Sequence, residues 1–178
     1  MNTESNNPLQ PGTMSKSLIQ ALIDNYRQNH LNVINTALGT QDAHSIWFDL
    51  PKLKNFIATI EAEAAKVNPD VSTEDLGIRF YYAAYPKEDN WSIMDSHPVP
   101  TEYAGKHTLV MIPTLKKADE TGEFHDYDFN QSPDIDGKPL ALNARSAKGI
   151  GGEEDDDTGL GENNGQLTPP KNSFGELY

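Results

Sequence analysis

Residues 77–85 read Gly-Ile-Arg-Phe-Tyr-Tyr-Ala-Ala-Tyr and form the clearest strand pattern in the chain. Side chains in this run alternate between two faces at the two-residue period of a β-strand, and both faces are largely apolar. A strand that is apolar on both faces is typical of a central position in a sheet. We therefore predict that residues 77–85 form a central strand.

Three further segments predict strands around this one. Residues 45–48, Ser-Ile-Trp-Phe, indicate a short strand that precedes it. Residues 107–112, His-Thr-Leu-Val-Met-Ile, indicate a longer strand that we expect to end at Pro113, because proline interrupts a hydrogen-bonded ladder. Residues 122–129 can return as a fourth strand across a turn at 117–121, so the last two strands form a hairpin.

Two helices are predicted from apolar stripes at helical spacing. The first runs from about Ser15 to Asn29, with Ser15 as its N-cap. The second begins after Asp49 with Pro51 in its first turn and stops at Asn68-Pro69. Its stripe, Leu53, Phe56, Ile57, Ile60 and Ala64, marks the buried side.

The resulting order of elements predicts an α+β fold, with a small, largely antiparallel sheet of three to four strands and two helices packed on one face. The predicted core consists of Leu22, Ile23, Phe48, Phe56, Ile57, Ile60, Ile78, Phe80, Leu109 and Met111.

Composition excludes several classes of function. The chain has 178 residues and a net charge of -13, so nucleic acid and anionic membrane surfaces are not expected partners. It has no cysteine, which excludes disulfides, thiolate nucleophiles and cysteine-ligated metals. No secretory signal or membrane-spanning stretch is seen, so we expect a cytoplasmic protein. No motif predicts a cofactor.

The acidity belongs mainly to the C-terminal third. Residues 118–178 hold 14 of the 27 acidic residues but only four of the 14 basic ones, together with nine of the 13 glycines. So little apolar area cannot offset the entropy of ordering the backbone. We predict a disordered arm at 1–14, a domain at 15–130, an acidic glycine-rich linker at 131–166 within a disordered tail, and a Pro-Pro segment at 167–178 that docks back.

A late segment, Gly165-Gln166-Leu167-Thr168-Pro169-Pro170, follows the strand and helix motifs described above. Together with those motifs over residues 15–114, it resembles a family of small uncharacterised bacterial α+β proteins whose late segment reads Gly, one or two residues, Cys, Pro, Pro. Thr168 stands where that family has cysteine. The resemblance implies an architecture and a docked Pro-Pro segment, but no activity.

Aromatic residues give the strongest signal for binding. Trp and Tyr combine a large contact area with a polar group, and they bracket the long loop at 86–105. If their strand face is uncovered, it provides a binding surface; otherwise the same residues cover the second face of the sheet together with the C-terminal chain. The candidate binding residues are Arg79, Tyr81, Tyr85, Trp91 and Tyr103.

Histidines and carboxylates of the predicted hairpin suggest an alternative, a site for zinc or another divalent metal. It requires that the hairpin register bring His107 and His125 to one face, near Asp126 and Asp128. Otherwise these side chains alternate into solvent. No EF-hand loop, phosphate-binding loop or serine nucleophile motif is complete.

The sequence favours a non-enzymatic module that binds a protein partner through its aromatic strand. A small metal-dependent enzyme using the hairpin cluster is one alternative. An acidic inhibitor that masks a basic surface is another, because negative tails can cover positive patches.

Overall fold

A computed structural model describes residues 12–133, 139–141, 159–171 and 175–178, and the side chains of 130–133 and 139–141 are not described. The predicted α+β class with antiparallel strands is confirmed. The chain divides into two units, the first formed by residues 1–45 and 168–178 and the second by residues 46–167.

The helices and strands are numbered in chain order. A turn of π-helix at Arg27–Leu31 joins the first two helices. The elements are α1 Lys16–Tyr26, α2 Asn32–Leu38, β1 Ser45–Trp47, α3 Leu50–Val67, β2 Leu76–Ala84, β3 His107–Ala118, β4 Phe124–Pro133, β5 Pro139–Ala141 and β6 Gln166–Thr168.

The larger sheet is antiparallel with strand order β2-β3-β4-β5. Among the strands that the structure describes, β2 therefore lies at an edge, and the prediction that its two apolar faces mean a central position is wrong. The physical reason is that Phe80, Tyr81 and Tyr82 are exposed, so apolar residues on both faces do not reflect burial on both faces. β1 and β6 form a separate two-stranded sheet.

β3 continues through Pro113 to Ala118, six residues beyond the predicted end at Ile112. Pro113 faces Ile78 of β2. Residues two positions apart in a strand direct their backbone groups to the same side, and those of Met111 bond with Glu162, away from β2. An N–H at position 113 would therefore point away from β2, towards the side of β4. Pairing of β3 with β4 begins only at Thr114, so no β4 partner faces this position. Proline is tolerated there because no ladder hydrogen bond is lost.

α3 covers one face of this sheet. Asp49 caps the helix by accepting a hydrogen bond from the Lys52 N–H at 2.7 Å, as predicted. Buried side chains of α3 pack against the sheet in two clusters. The buried members of the first are Phe56, Ile60 and Met111. Those of the second are Ala64, Leu115 and Phe129.

The predicted core is only partly correct. Phe56, Ile60 and Met111 are buried, but Leu22, Ile57 and Phe80 are exposed. Sequence periodicity places a side chain on a face, and it does not say how far along that face the covering element reaches. The buried residues Tyr85, Tyr103, Leu115, Phe129 and Leu167 were not predicted.

Residues 160–167 are integrated into the second unit. Met111 and Glu162 exchange two backbone hydrogen bonds of 2.9 and 3.1 Å, which adds this segment to the free edge of β3. Leu160 packs on the cluster around Met111, and Leu167 is fully buried. The last residues of the predicted linker 131–166 thus belong to the folded part.

Other predicted segments lie outside the described residues. These are most of the arm 1–14, of which Gly12–Met14 are described, and the acidic run at 153–157. Of the predicted Pro-Pro segment 167–178, residues 167–171 and 175–178 are described. The bonds Thr168-Pro169 and Pro169-Pro170 are both cis.

The first unit is built on α1 and α2. Ser15 caps α1 through the Leu18 N–H at 3.2 Å, as predicted, but the helical run continues past Asn29 to Leu38. Arg27 and Glu176 form an ion pair of 3.8 Å. The Arg27 guanidinium lies 3.2 Å from Nδ1 of His44, and the same nitrogen lies 3.8 Å from the Glu176 carboxylate.

Candidate functional site

The outer edge of β2 offers backbone groups that no described strand satisfies. Met111 directs its N–H and C=O to Glu162, and Met111 faces Phe80 across the β2–β3 pair. In an antiparallel ladder, a residue whose backbone groups point away from its partner forms a non-hydrogen-bonded pair with it. The N–H and C=O of Phe80 therefore also point away from β3, towards the outer edge.

A second contact gives the same alternation. The Tyr85 N–H donates to the Lys106 carbonyl at 2.9 Å, so the odd-numbered residues of β2 direct their backbone groups to β3. The even-numbered residues then direct theirs outward. Leu76 is the first of these, but its N–H already donates to the Thr73 carbonyl, so four open outward positions remain, Ile78, Phe80, Tyr82 and Ala84. We call this row the β2 edge.

Large aromatic side chains lie along the β2 edge. Phe80 is 53% exposed and Tyr82 is 94% exposed, while Tyr81, on the opposite face, is 43% exposed. Exposed edge strands in stable proteins are usually short, charged or interrupted by proline, because an open apolar edge pairs with other chains. β2 has nine residues, no proline and a single charged residue, Arg79. An unprotected edge of this kind is a template on which another strand can pair.

A groove lies next to the β2 edge, on the side of α3. Its volume is about 210 Å³. The walls come from the exposed flank of α3 and from the start of β2, so the groove is open to a strand added outside β2. The lining residues are Ile57, Ile60, Glu61, Thr73, Leu76, Gly77 and Ile78.

Two predicted binding residues, Arg79 and Tyr81, lie on the face opposite α3. Arg79 forms an ion pair with Asp128 and donates to the Asp126 carbonyl at 2.7 Å, and the Tyr81 hydroxyl donates to Asp128. The contact with Tyr81 and the charge of Asp128 raise the pKa of Arg79, against an opposing effect of burial. These side chains contact β4 across the sheet, and they do not occupy the outward backbone groups of the β2 edge.

The other three predicted binding residues, Tyr85, Trp91 and Tyr103, form a cluster in which Trp91 is half-buried. The Tyr85 ring lies 5.7 Å from that of Tyr103 and 6.3 Å from that of Trp91. Tyr85 and Tyr103 are buried, and burial raises the pKa of the Tyr85 phenol. They do not form an exposed surface.

These tyrosines instead hold the C-terminal segment. The Tyr85 hydroxyl donates to the Asn163 carbonyl at 3.2 Å, and the Tyr103 hydroxyl accepts from the Leu167 N–H at 3.1 Å. The sequence left two alternatives for the aromatic residues: an exposed binding surface, or a cover over the sheet formed together with the C-terminal chain. The second alternative describes Tyr85 and Tyr103.

The hairpin register does not assemble the predicted metal site. His107 faces Ala84 at one end of β3, whereas His125 faces Lys117 ten residues further along, roughly 33 Å away. Asp126 and Asp128 alternate to the face opposite that of His125. The four residues therefore do not form one site.

His125 instead meets the turn between β3 and β4. The ligand atoms of Asp119, Glu123 and His125 lie within 4.8 Å of one another. However, Asp119 already accepts hydrogen bonds from the Thr121 N–H and hydroxyl, the Glu123 N–H and His125. The bonds from Thr121 and His125 hold the pKa of Asp119 well below its usual range. These contacts explain the cluster as a hydrogen-bonded turn.

A separate polar cavity of about 370 Å³ lies in the first unit. Its floor includes the buried Asp42, whose carboxylate accepts from the Ala43 N–H at 2.8 Å. The cavity is lined by Leu31, Asn35, Gln41, Asp42, His44, Thr168, Pro169, Pro170 and Lys171.

Comparison of the chain with protein-family models, with curated proteins and with solved structures finds no match. Among the described residues, every helix is too short or too polar to cross a bilayer.

Sequence reasoning missed the β2 edge and the groove beside it. A partial signal was present, because two aromatic residues, Phe80 and Tyr82, share one face of the predicted strand. The direction of the backbone groups depends on the register with β3, and one sequence does not determine that register.

Proposed function

We propose that this protein is a non-enzymatic interaction module that captures an extended segment of a partner protein as an added strand on the β2 edge. The observation that carries the proposal is the outward direction of the backbone groups of Ile78, Phe80, Tyr82 and Ala84. In strand addition, main-chain hydrogen bonds supply affinity and alternate side chains supply specificity.

Charge favours a partner over a second copy of this chain. Exposed acidic residues outnumber basic ones around the ends of β2, with Glu74 before it and Glu88 and Asp89 beside a single Lys87 after it. Two chains that each carry a net charge of -13 repel one another, whereas a basic or neutral segment is attracted. The occupant is therefore an extended segment with basic residues near its ends.

The test is selection of peptides from a displayed library of random 12-residue sequences, using the full chain as bait. Peptides that bind the wild type are expected to bind Tyr82→Pro at least about tenfold more weakly, because this change removes one outward N–H and one aromatic side chain. Tyr82→Ala, which keeps the backbone N–H, is the matched control and should lose less affinity.

Two results would contradict the proposal. One is selected peptides that bind Tyr82→Pro as tightly as the wild type, since their site would then lie elsewhere. The other is failure to enrich any peptide while the wild type, but not Tyr82→Pro, dimerises in analytical ultracentrifugation. That result would make a second copy of the chain the occupant.

A further inference from the structure

The groove beside the β2 edge combines apolar walls with one carboxylate. Ile57, Ile60, Leu76 and Ile78 provide the walls, and Glu61 lies among them at the exposed side of α3. Its volume of about 210 Å³ is sufficient for one long side chain and small for a typical ligand pocket.

A strand added to β2 would direct alternate side chains into this groove. Neighbouring strands lie about 4.8 Å apart, and residues that face each other place their side chains on the same side of the sheet. Leu76 and Ile78 are on the α3 side, because both pack on the cluster around Phe56 and Ile60. A guest residue next to them would therefore lie against the same walls.

Glu61 has no hydrogen bond or ion pair in the part of the chain that the structure describes. The other acidic residue of α3, Glu63, pairs with Lys66 at 2.6 Å. Since the guest strand would shield Glu61 from part of its water, a carboxylate at this position favours a cation and disfavours an acidic or purely apolar neighbour.

Resting on the proposed function, we infer that the groove receives a lysine or arginine side chain of the captured strand. The aliphatic part of that side chain packs on Ile57 and Ile78, and its charged end meets Glu61 at the rim. Long basic side chains bury their stems along apolar surface while their charged ends stay close to water. The partner is thus an extended basic segment with one such residue opposite the start of β2.

The experiment compares synthetic versions of the selected peptides, in which each Lys or Arg is replaced in turn by norleucine. Norleucine keeps an aliphatic stem and lacks the charge. For one Lys or Arg of the peptide, the unmodified peptide should bind Glu61→Gln about three- to tenfold more weakly than the wild type. The version with norleucine at that position should bind Glu61→Gln less than about twofold more weakly than the wild type. Glu63→Gln, on the same helix with the same change in net charge, is the matched control and should leave both affinities unchanged.

Equal losses on Glu61→Gln and Glu63→Gln would contradict the inference, because they would indicate only a general effect of charge. So would selected peptides that contain no Lys or Arg, or a basic peptide whose affinity does not change on Glu61→Gln. In each of these cases, peptides that still bind the wild type more tightly than Tyr82→Pro would leave the proposed function intact. If no peptide distinguishes Tyr82→Pro from the wild type, the proposed function itself fails.

Discussion

Replacing Ala83 with proline is expected to destabilise the protein by about 3 kcal/mol, whereas the same replacement at the adjacent Tyr82 should cost less than about 1 kcal/mol. The N–H of Ala83 points to β3, where Ala83 faces the buried Thr108. Ala83→Pro therefore removes a ladder hydrogen bond and leaves a shielded carbonyl without its donor. The N–H of Tyr82 points to solvent, and proline is tolerated at such edge positions.

Thermal unfolding of the two variants, followed by circular dichroism, measures this difference. Both changes restrict the preceding residue to extended backbone, which residues 81 and 82 already adopt within β2, so this effect is common to both. If Tyr82→Pro destabilised the protein as much as Ala83→Pro does, the assigned alternation of β2 would be wrong, and with it the position of the binding edge.

The substitution Gly165→Ala is expected to cost about 3 kcal/mol, although it adds one methyl group. A β-carbon at this position would lie 2.3 Å from Cγ2 of Ile46 and 2.7 Å from Cζ of Phe48, too close for any real contact. Neither neighbour can move away easily, because Ile46 belongs to β1 and Phe48 packs on the core cluster around Phe56. The segment that carries Leu167 into the interior would be displaced.

Gly161→Ala is the control for this change, because it lies in the same segment and its β-carbon would meet the terminal methyl of the flexible Ile112 side chain at 3.2 Å and the Met111 carbonyl at an ordinary contact distance of 3.7 Å. We expect it to cost less than about 1 kcal/mol, measured as the free energy of unfolding in urea. Equal stabilities of the Gly165→Ala variant and the wild type would show that residues 160–167 are not packed on the second unit as described.

Much of the fold could be predicted from local patterns. The caps at Ser15 and Asp49 and the hairpin of β3 and β4 depend on side-chain chemistry and spacing within a few residues. The edge position of β2 could not be predicted in this way. Apolar residues on both faces of a strand indicate either burial or a binding surface, and only the strand order separates the two.

The candidate site was predicted in part for the same reason. The aromatic run of β2 was recognised as a binding signal, but its members have different roles: Tyr85 is buried and Tyr81 holds Asp128, while Tyr82 is exposed. Phe80, Tyr82 and Glu61 were not among the predicted binding residues. Their importance follows from the register of β2 with β3 and from the position of α3, which are long-range features of the fold.

Residue-resolved amide hydrogen exchange by NMR tests the open β2 edge most directly. In the free protein, we predict fast exchange for the N–H groups of Phe80 and Tyr82 and slow exchange for those of Tyr81 and Ala83, because only the latter pair donates to β3. A bound peptide should slow the exchange of Phe80 and Tyr82. Phe80 and Tyr82 amides that exchange as slowly as those of Tyr81 and Ala83 in the free protein would contradict the account, because the edge would already be paired.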